Sequence, residues 1–193
     1  MEKENIGLYF GSFNPIHYGH LILANYIVEN TILDKVCFVV SPQNPLKDKN
    51  ILLDDKTRLD LVNLAIEDNA LFFASDVEFA LPKPSYTINT LKYLTKEHSD
   101  KNYSLIMGQD NLENFHRWKD YQEILDNYNI YVYPREKAEY QPLQNHKHIH
   151  LLSPPLINIS SSYIRSLIKE GKDIRYLLPD KVREKILCLS LYK

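Results

Sequence analysis

Short apolar runs alternate with longer amphipathic segments along most of the chain. The apolar runs are rich in branched and aromatic residues and are bounded by turn residues, which is typical of buried strands. Six strands are predicted, at Ile6–Phe10, Val36–Val40, Leu71 to about Phe79, Tyr103–Met107, Ile130–Tyr133 and His148–Leu152.

The amphipathic segments predict helices between these strands. After the first strand, Leu21, Ala24 and Val28 recur at helical spacing, and Ile27 widens the apolar stripe. Further helices are predicted at Asp54–Asp68, Ile88–His98 with Thr87 as N-cap, Asp110–Phe115, Tyr121–Asp126, Ser160–Lys169 ended by Gly171, and Asp180–Leu191. This alternation predicts an α/β fold, a doubly wound parallel sheet with helices on both faces. At 193 residues the chain is expected to form a single domain, residues 1–193.

The loop between the first strand and the first helix carries candidate chemistry. Residues 11–20 read GSFNPIHYGH. In an open parallel sheet this loop lies at the carboxyl end of a strand, where ligands bind, and the helix start favours an anion. Gly11 and Gly19 lack a Cβ, so the backbone there can approach a phosphate. His17 and His20 share one helix face if the first turn has begun. These features predict a polyphosphate site, and a turn with two incidental histidines is the structural alternative.

A second helix start has similar features. Residues 159–165 read ISSSYIR, and Ser160 is an ordinary N-cap. Ser161 and Ser162 add two hydroxyls beyond what a cap requires. Arg165 lies in the first turn, where a cation opposes the helix dipole, so a nearby anion would explain it. A serine-rich cap with a surface arginine is the alternative.

Both segments resemble signatures of the nucleotidylyltransferases. GSFNPIHYGH resembles GxFxPxHxGH, with Phe10 where many members carry a first glycine and Asn14 where many carry aspartate. ISSSYIR resembles ISSTxIR, and Ser162 in place of threonine keeps the hydroxyl. The resemblance implies a Rossmann-like fold with His17, His20 and Arg165 as catalytic residues. The ATP-binding residues that it implies are Gly11, Ser12, Phe13, His17, Gly19, His20, Ser160, Ser161, Ser162, Ile164 and Arg165.

Three other segments resemble the nicotinate-mononucleotide adenylyltransferase branch. They are an SYT segment at residues 85–87, a GxD…F..W segment at residues 108–118, and a PxxK-type loop at residues 44–47, in which Leu46 replaces the branch's histidine. The resemblance implies that Asp110 hydrogen-bonds the ribose and that Trp118 stacks on the pyridine ring. The substrate-binding residues that it implies are Lys47, Tyr86, Thr87, Gly108, Asp110 and Trp118. Without the motifs, Trp118 could be a packing residue, Asp110 a helix cap, and Tyr86 and Thr87 a loop end and a cap.

The reaction implied by the resemblance joins the AMP moiety of ATP to nicotinate mononucleotide and releases pyrophosphate, a step of NAD biosynthesis. A phosphate monoester has a second pKa of about 6, so this nucleophile needs no general base, and we expect no covalent enzyme intermediate. Mg²⁺ is expected to arrive with the ATP phosphates, with no metal site formed by the protein alone. The helix starts near residues 20 and 160 should then converge on one triphosphate. The alternatives are a nicotinamide-mononucleotide or phosphopantetheine adenylyltransferase, or a catalytically silent nucleotide-binding module.

Composition excludes other classes of protein. The net charge of −2 argues against a nucleic-acid-binding surface, which needs a basic balance. Cys37 and Cys188 form neither a metal-binding spacing nor a disulfide framework. The histidines of residues 146–150 alternate like one strand face without a carboxylate or cysteine at ligand spacing, which indicates a solvated strand edge. With a polar amino-terminal segment and no long apolar run, we expect a cytoplasmic protein without a membrane span, and a homo-oligomer stays open.

Overall fold

The computed structural model describes residues 3–42, 52–135 and 142–193. Its strands are β1 Glu4–Gly11, β2 Lys35–Val40, β3 Phe72–Ser75, β4 Lys101–Gly108, β5 Ile130–Tyr133 and β6 Ile149–Leu151. Its α-helices are α1 Tyr18–Asn30, α2 Asp55–Ile66, α3 Val77–Ala80, α4 Thr87–Glu97, α5 Gln109–Glu113, α6 Tyr121–Asn127, α7 Ser161–Lys169 and α8 Asp180–Cys188. Within the described ranges, 3₁₀ helices span Phe115–Arg117 and Pro142–Asn145.

The six strands form one parallel sheet in the order β3-β2-β1-β4-β5-β6. The strand order therefore reverses between β1 and β4, and ligands of such sheets bind outside the carboxyl ends of the strands at this point. Gly11 ends β1 and Gly108 ends β4, so these two of the three glycines predicted for the site lie at that edge. The predicted parallel α/β sheet of Rossmann-like type is confirmed.

Two hydrophobic clusters cover the two faces of the sheet, because successive residues of a strand point to opposite sides. One cluster joins Tyr9 and Phe38 of the sheet to apolar side chains of α1, α2, α7 and α8. The other joins Leu8 and Cys37 to apolar side chains of α4, α5 and α6. The helices therefore lie on both faces, as predicted. None of the described helices is long and apolar enough to cross a bilayer.

The third strand is shorter than predicted. β3 ends at Ser75 instead of running to about Phe79. The Ser75 Oγ accepts a hydrogen bond from the Val77 amide at 3.2 Å, which turns the chain into α3. Propensity alone favoured a longer strand, and this local side-chain bond competes with the ladder.

The start of α4 also differs. Tyr86 is the N-cap and Thr87 is the first helical residue, so the prediction that Thr87 caps the helix was wrong by one position. The end of α7 agrees with the sequence, because Gly171 takes a left-handed φ of 67° there. The amide of Lys172 closes that end by donating to the Leu167 carbonyl at 2.9 Å.

The buried face of α1 is slightly rotated from the predicted one. Ala24 and Ile27 are buried as predicted. Leu23 is the third buried residue, whereas Leu21 and Val28 are only partly buried against the same cluster.

Candidate active site

The loop after β1 is shaped by the aromatic ring of Phe13. Phe13 adopts a φ of 42°, in the left-handed region that side chains rarely occupy, and it is 2% exposed. A Cβ on Gly11 would lie 2.7 Å from this ring, so only glycine leaves room for it. The ring packs edge-on against Tyr9 and Phe38, with centroids 5.7 and 5.5 Å away. This buried anchor fixes the loop across the carboxyl end of β1.

The two predicted histidines lie against each other at the start of α1. His17 is the N-cap and His20 is in the first turn, and their rings stack with centroids 3.8 Å apart. The backbone amide of His17 donates to the His20 Nδ1 at 3.3 Å. Neutral His20 therefore carries its hydrogen on Nε2, where it can donate. A Cβ on Gly19 would lie 3.0 Å from two atoms of the His17 ring, so glycine makes room for that ring.

His17 is an uncharged imidazole near neutral pH. It is 5% exposed, and burial, followed by the positive charge of Arg135, lowers its pKa from 6.5 to about 4. Its Nδ1 is buried and finds no hydrogen-bond partner within the described part of the chain. Buried polar atoms of this kind usually have a partner, and unpaired ones are found at strained or catalytic positions.

The start of α7 contacts the loop that precedes α1. Ser160 caps the helix by accepting a hydrogen bond from the Tyr163 amide at 3.2 Å, as predicted. The Ser161 Oγ donates to the Pro15 carbonyl at 2.8 Å. The start of α7 therefore touches the loop that leads into α1, about 140 residues earlier in the sequence.

Arg165 joins the same two segments. Its Nη1 donates to the Asn14 carbonyl at 2.7 Å and its Nη2 donates to the Ser162 Oγ at 3.1 Å. The predicted conflict with the helix dipole is thus relieved in part by a backbone carbonyl of the loop. Ile164 beside it is fully buried, and its amide donates to the Ser160 carbonyl, so it packs the helix start onto the core.

Arg58 of α2 is a buried cation that the sequence did not single out. It is 0% exposed and donates to the carbonyls of Ser12, Ser41 and Leu53 at 2.7, 2.9 and 3.0 Å. Its charge is balanced by the Asp55 carboxylate at 2.6 Å. The guanidinium fork therefore fastens the loop after β1 to the segment after β2. A charged residue in an amphipathic helix usually indicates the solvent-exposed face, so the polar pattern of α2 gave no sign that Arg58 is buried.

A second polar cluster lies at the carboxyl ends of β4 and β5. The Arg135 Nε lies 3.7 Å from the Asp110 carboxylate, and its Nη2 donates to the Tyr133 hydroxyl at 3.3 Å. That hydroxyl lies 3.4 Å from the hydroxyl of Tyr9. A Cβ on Gly108 would collide with the Asp110 carboxylate, so the glycine lets that side chain fold back over the strand end.

Arg135 is also missing from the residues predicted for the site. Its position directly after a predicted strand was the available signal, because strand ends of this sheet face the ligand. Tyr9 connects this cluster to the histidines, because its ring centroid lies 6.0 Å from that of His20 and its hydroxyl lies 3.4 Å from that of Tyr133.

The predicted pyridine-side residues are placed on the face covered by α4 to α6. Trp118 is half-buried and its ring lies 5.4 Å from that of Phe115. Tyr86 is 40% exposed, and the Lys119 ammonium lies 4.8 Å from the centre of its ring. The segment of Trp118 and the start of α4 with Thr87 are therefore neighbours. Lys47 and its PxxK-type loop lie outside the described residues.

The histidines of residues 146–150 are engaged in structural contacts. The His148 Nδ1 lies 2.8 Å from the Leu125 carbonyl, and the His150 ring stacks on Tyr131 at 4.9 Å. Over the ranges 3–42, 52–135 and 142–193, no three His, Cys, Asp or Glu side chains are grouped so that they could hold a metal ion.

Comparison with known proteins places this geometry among nucleotide-transferring enzymes. The model of the cytidylyltransferase-like family matches residues 8–167. A probable nicotinate-nucleotide adenylyltransferase of Flavobacterium johnsoniae is 51% identical over 190 residues, which cover 97% of this chain and 98% of the relative. A relative of the same description from Flavobacterium psychrophilum is 53% identical with the same coverage. Among solved structures, Plasmodium falciparum nicotinic acid mononucleotide adenylyltransferase complexed with NaAD has a TM-score of 0.81 at 19% identity, over 98% of this chain and 97% of that one, which shows a shared fold.

Proposed function

Because the chain belongs to the cytidylyltransferase-like family, and within it to the nicotinate-nucleotide adenylyltransferases, we propose that it adenylates nicotinate mononucleotide with ATP. A phosphate oxygen of the mononucleotide attacks the α-phosphorus of ATP and forms a new P–O bond. The bond from that phosphorus to the β-phosphate bridging oxygen breaks, and its electron pair leaves with pyrophosphate. The product is deamido-NAD.

The contact between the two helix starts carries this proposal. The bonds from Ser161 to Pro15 and from Arg165 to Asn14 bring the amino-terminal ends of α1 and α7 together. Each end presents backbone amides that lack an intrahelical acceptor and carries a partial positive charge. Two such ends on one region suit a triphosphate far better than a single anion.

Within this arrangement the histidines act on the transferring phosphoryl group. His17 is neutral, so it contributes a hydrogen bond and no charge, and His20 donates from Nε2. The mononucleotide phosphate is already ionised near neutral pH, so neither imidazole has to remove a proton. Catalysis then rests on holding the reactants in line and on stabilising charge as it moves to the leaving group. Arg165 and the amides of Ser161 and Ser162 act on the departing phosphates.

Mg²⁺ fits this site as a companion of ATP. The ion prefers oxygen ligands and keeps several waters, and nucleotide phosphates commonly supply the rest of its shell. The described side chains offer it no carboxylate cage. When bound, the ion neutralises charge on the β- and γ-phosphates.

The second substrate is assigned to the polar cluster after β4 and β5 and to the aromatic residues beside α4. Asp110 hydrogen-bonds the ribose, and Arg135, whose Nε lies 3.7 Å from the Asp110 carboxylate, offers a cation to the mononucleotide phosphate. Tyr86, Thr87 and Trp118 receive the pyridine ring, and Lys47 contributes a further cation from its loop.

The test is mononucleotide-dependent pyrophosphate release by the purified chain. We expect release with ATP, Mg²⁺ and nicotinate mononucleotide, a product with the mass of deamido-NAD, and a higher kcat/KM for this substrate than for nicotinamide mononucleotide. Arg165→Met should abolish most of the activity, and Arg175→Met, an exposed arginine paired with Asp173, should keep it. ATP binding without turnover would instead favour the silent module, and a preference for phosphopantetheine or nicotinamide mononucleotide would favour the other transferases.

A further inference from the structure

Tyr192, which follows α8, reaches the phosphate loop from the far end of the chain. Its hydroxyl donates to the Asn14 Oδ1 at 2.9 Å. The chain reaches this position through two left-handed residues, since Ser190 has a φ of 51° and Tyr192 a φ of 64°. The Leu191 amide holds the turn by donating to the Ile186 carbonyl at 3.0 Å. An unusual backbone conformation thus serves to deliver one side chain to the loop.

Asn14 is the point where three other elements meet the loop. The residue is 4% exposed, and its Oδ1 accepts from the Leu53 amide at 3.3 Å in addition to Tyr192. Its backbone carbonyl accepts from Arg165 at 2.7 Å. The side-chain oxygen therefore works as an acceptor of two hydrogen bonds, which the amide of asparagine provides without the charge of an aspartate.

Burial keeps the Tyr192 hydroxyl protonated, so that it can donate a hydrogen bond. Burial raises the pKa of Tyr192, and the charges of Arg165 and Arg58 only partly offset this. The guanidinium groups are donors only, so the hydroxyl hydrogen has Asn14 as its natural acceptor. Tyr192 thus bonds to the side chain of the residue whose backbone carbonyl accepts a hydrogen bond from Arg165.

We propose that Tyr192 is a positioning residue for ATP, an inference that rests on the proposed function. By fixing the Asn14 side chain it fixes the Asn14 carbonyl, and this carbonyl orients the guanidinium of Arg165. Without the hydroxyl, the Asn14 Oδ1 loses the shorter of the two hydrogen bonds described for it, at 2.9 Å against 3.3 Å for the bond from Leu53. The loop at Asn14 and the guanidinium of Arg165 are then held less firmly in their relative positions. The cluster of Asp110 and Arg135 on the other strands is not touched by this change.

The test separates the KM for ATP from the KM for the mononucleotide. Tyr192→Phe removes one hydroxyl and leaves the ring, so we expect the KM for ATP to rise about threefold to tenfold, the scale of one hydrogen bond, with the KM for nicotinate mononucleotide unchanged. The melting temperature should fall by no more than about 3 °C. Tyr176→Phe is the matched control, since Tyr176 has a φ of 66° and is 86% exposed, and it should behave as the wild type. A wild-type KM for ATP in Tyr192→Phe overturns the proposal, as does an equal loss in both KM values with a large drop in melting temperature.

A double-mutant cycle tests whether Tyr192 acts through Asn14. In the background of Asn14→Ala, Tyr192→Phe should change the KM for ATP by less than about twofold, because the shared bond is already absent. If the KM for ATP of the double variant rose by the product of the two single-variant factors, Tyr192 would not act through Asn14. Binding of a non-hydrolysable ATP analogue, measured by calorimetry on the same variants, should show the same threefold to tenfold ratio. That ratio tests Tyr192 even if the wild type released no pyrophosphate, an outcome that would overturn only the proposed function.

Discussion

The buried His17 should make the stability of the fold sensitive to mild acid. Burial and the nearby charge of Arg135 lower its pKa to about 4 in the folded state, whereas an unfolded histidine titrates near about 6.5. Above the pKa of the unfolded state, the folded and unfolded chains both hold a neutral imidazole, so His17 does not change the free energy of unfolding. As the pH falls below it, the unfolded state takes up a proton first, so the free energy of unfolding decreases until the pH reaches about 4.

The magnitude follows from the gap between the two pKa values. At about 1.4 kcal/mol for each pH unit, the whole window amounts to about 3 kcal/mol, of which about 2 kcal/mol is lost between about pH 7 and about pH 5. His17→Asn removes the titrating group and keeps a residue that caps helices well. The variant should therefore lose less stability than the wild type over this range, by about 2 kcal/mol.

Urea unfolding at about pH 7 and about pH 5 measures the effect. The compared quantity is the difference in free energy of unfolding between the two pH values, so contributions from other titrating groups cancel between the variants. His116→Asn is the control, because His116 is exposed on the 3₁₀ helix Phe115–Arg117, and it should keep the wild-type difference. If His17→Asn had the same pH dependence as the wild type, the buried and neutral state of His17 would be refuted.

Two further substitutions distinguish a residue that acts on the reacting phosphate from one that stabilises the fold around the loop. His20→Ala should lower kcat by on the order of 10²–10³, the scale for one preorganised donor, with little change in melting temperature, and near-normal turnover in the pyrophosphate assay would contradict its role. Arg58→Met removes a fully buried guanidinium that donates to the part-buried carbonyls of Ser12 and Ser41, and it should lower the free energy of unfolding by about 3–5 kcal/mol in urea. Arg175→Met, at an exposed ion pair, should change the free energy of unfolding by less than about 0.5 kcal/mol. Equal effects of the two substitutions would refute the conclusion that Arg58 holds the loop after β1 to the segment after β2.

The sheet and the two helix starts could be predicted because their signals are local. Apolar runs such as Val36–Val40 read as strands without knowledge of their neighbours. The loop at Gly11 and the cap at Ser160 follow from residue types that few other local structures need. The prediction that two distant helix starts meet required the family resemblance, and the bond from Ser161 to Pro15 confirms it.

The supporting contacts could not be predicted because they join positions far apart in sequence. Arg58 looks like one more charge on an amphipathic helix until the carbonyls after β1 and β2 are seen around it. Tyr192 looks like an ordinary aromatic residue after a helix, and only the folded chain brings it to Asn14. The cap of α4 fell one position from its prediction because the Tyr86 backbone, and no side chain, sets the helix start.

Trp118 gives this protein an optical signal of its own. It is the one tryptophan in the sequence, half-buried on Phe115 and followed by the Lys119 that lies over Tyr86. Indole emission depends on the solvent and the charges around the ring, so light absorbed by this residue reports on a single place in the fold. Binding on the face of α4 to α6 could accordingly be followed in the native chain, without any attached dye, while events confined to the other face would leave the emission unchanged.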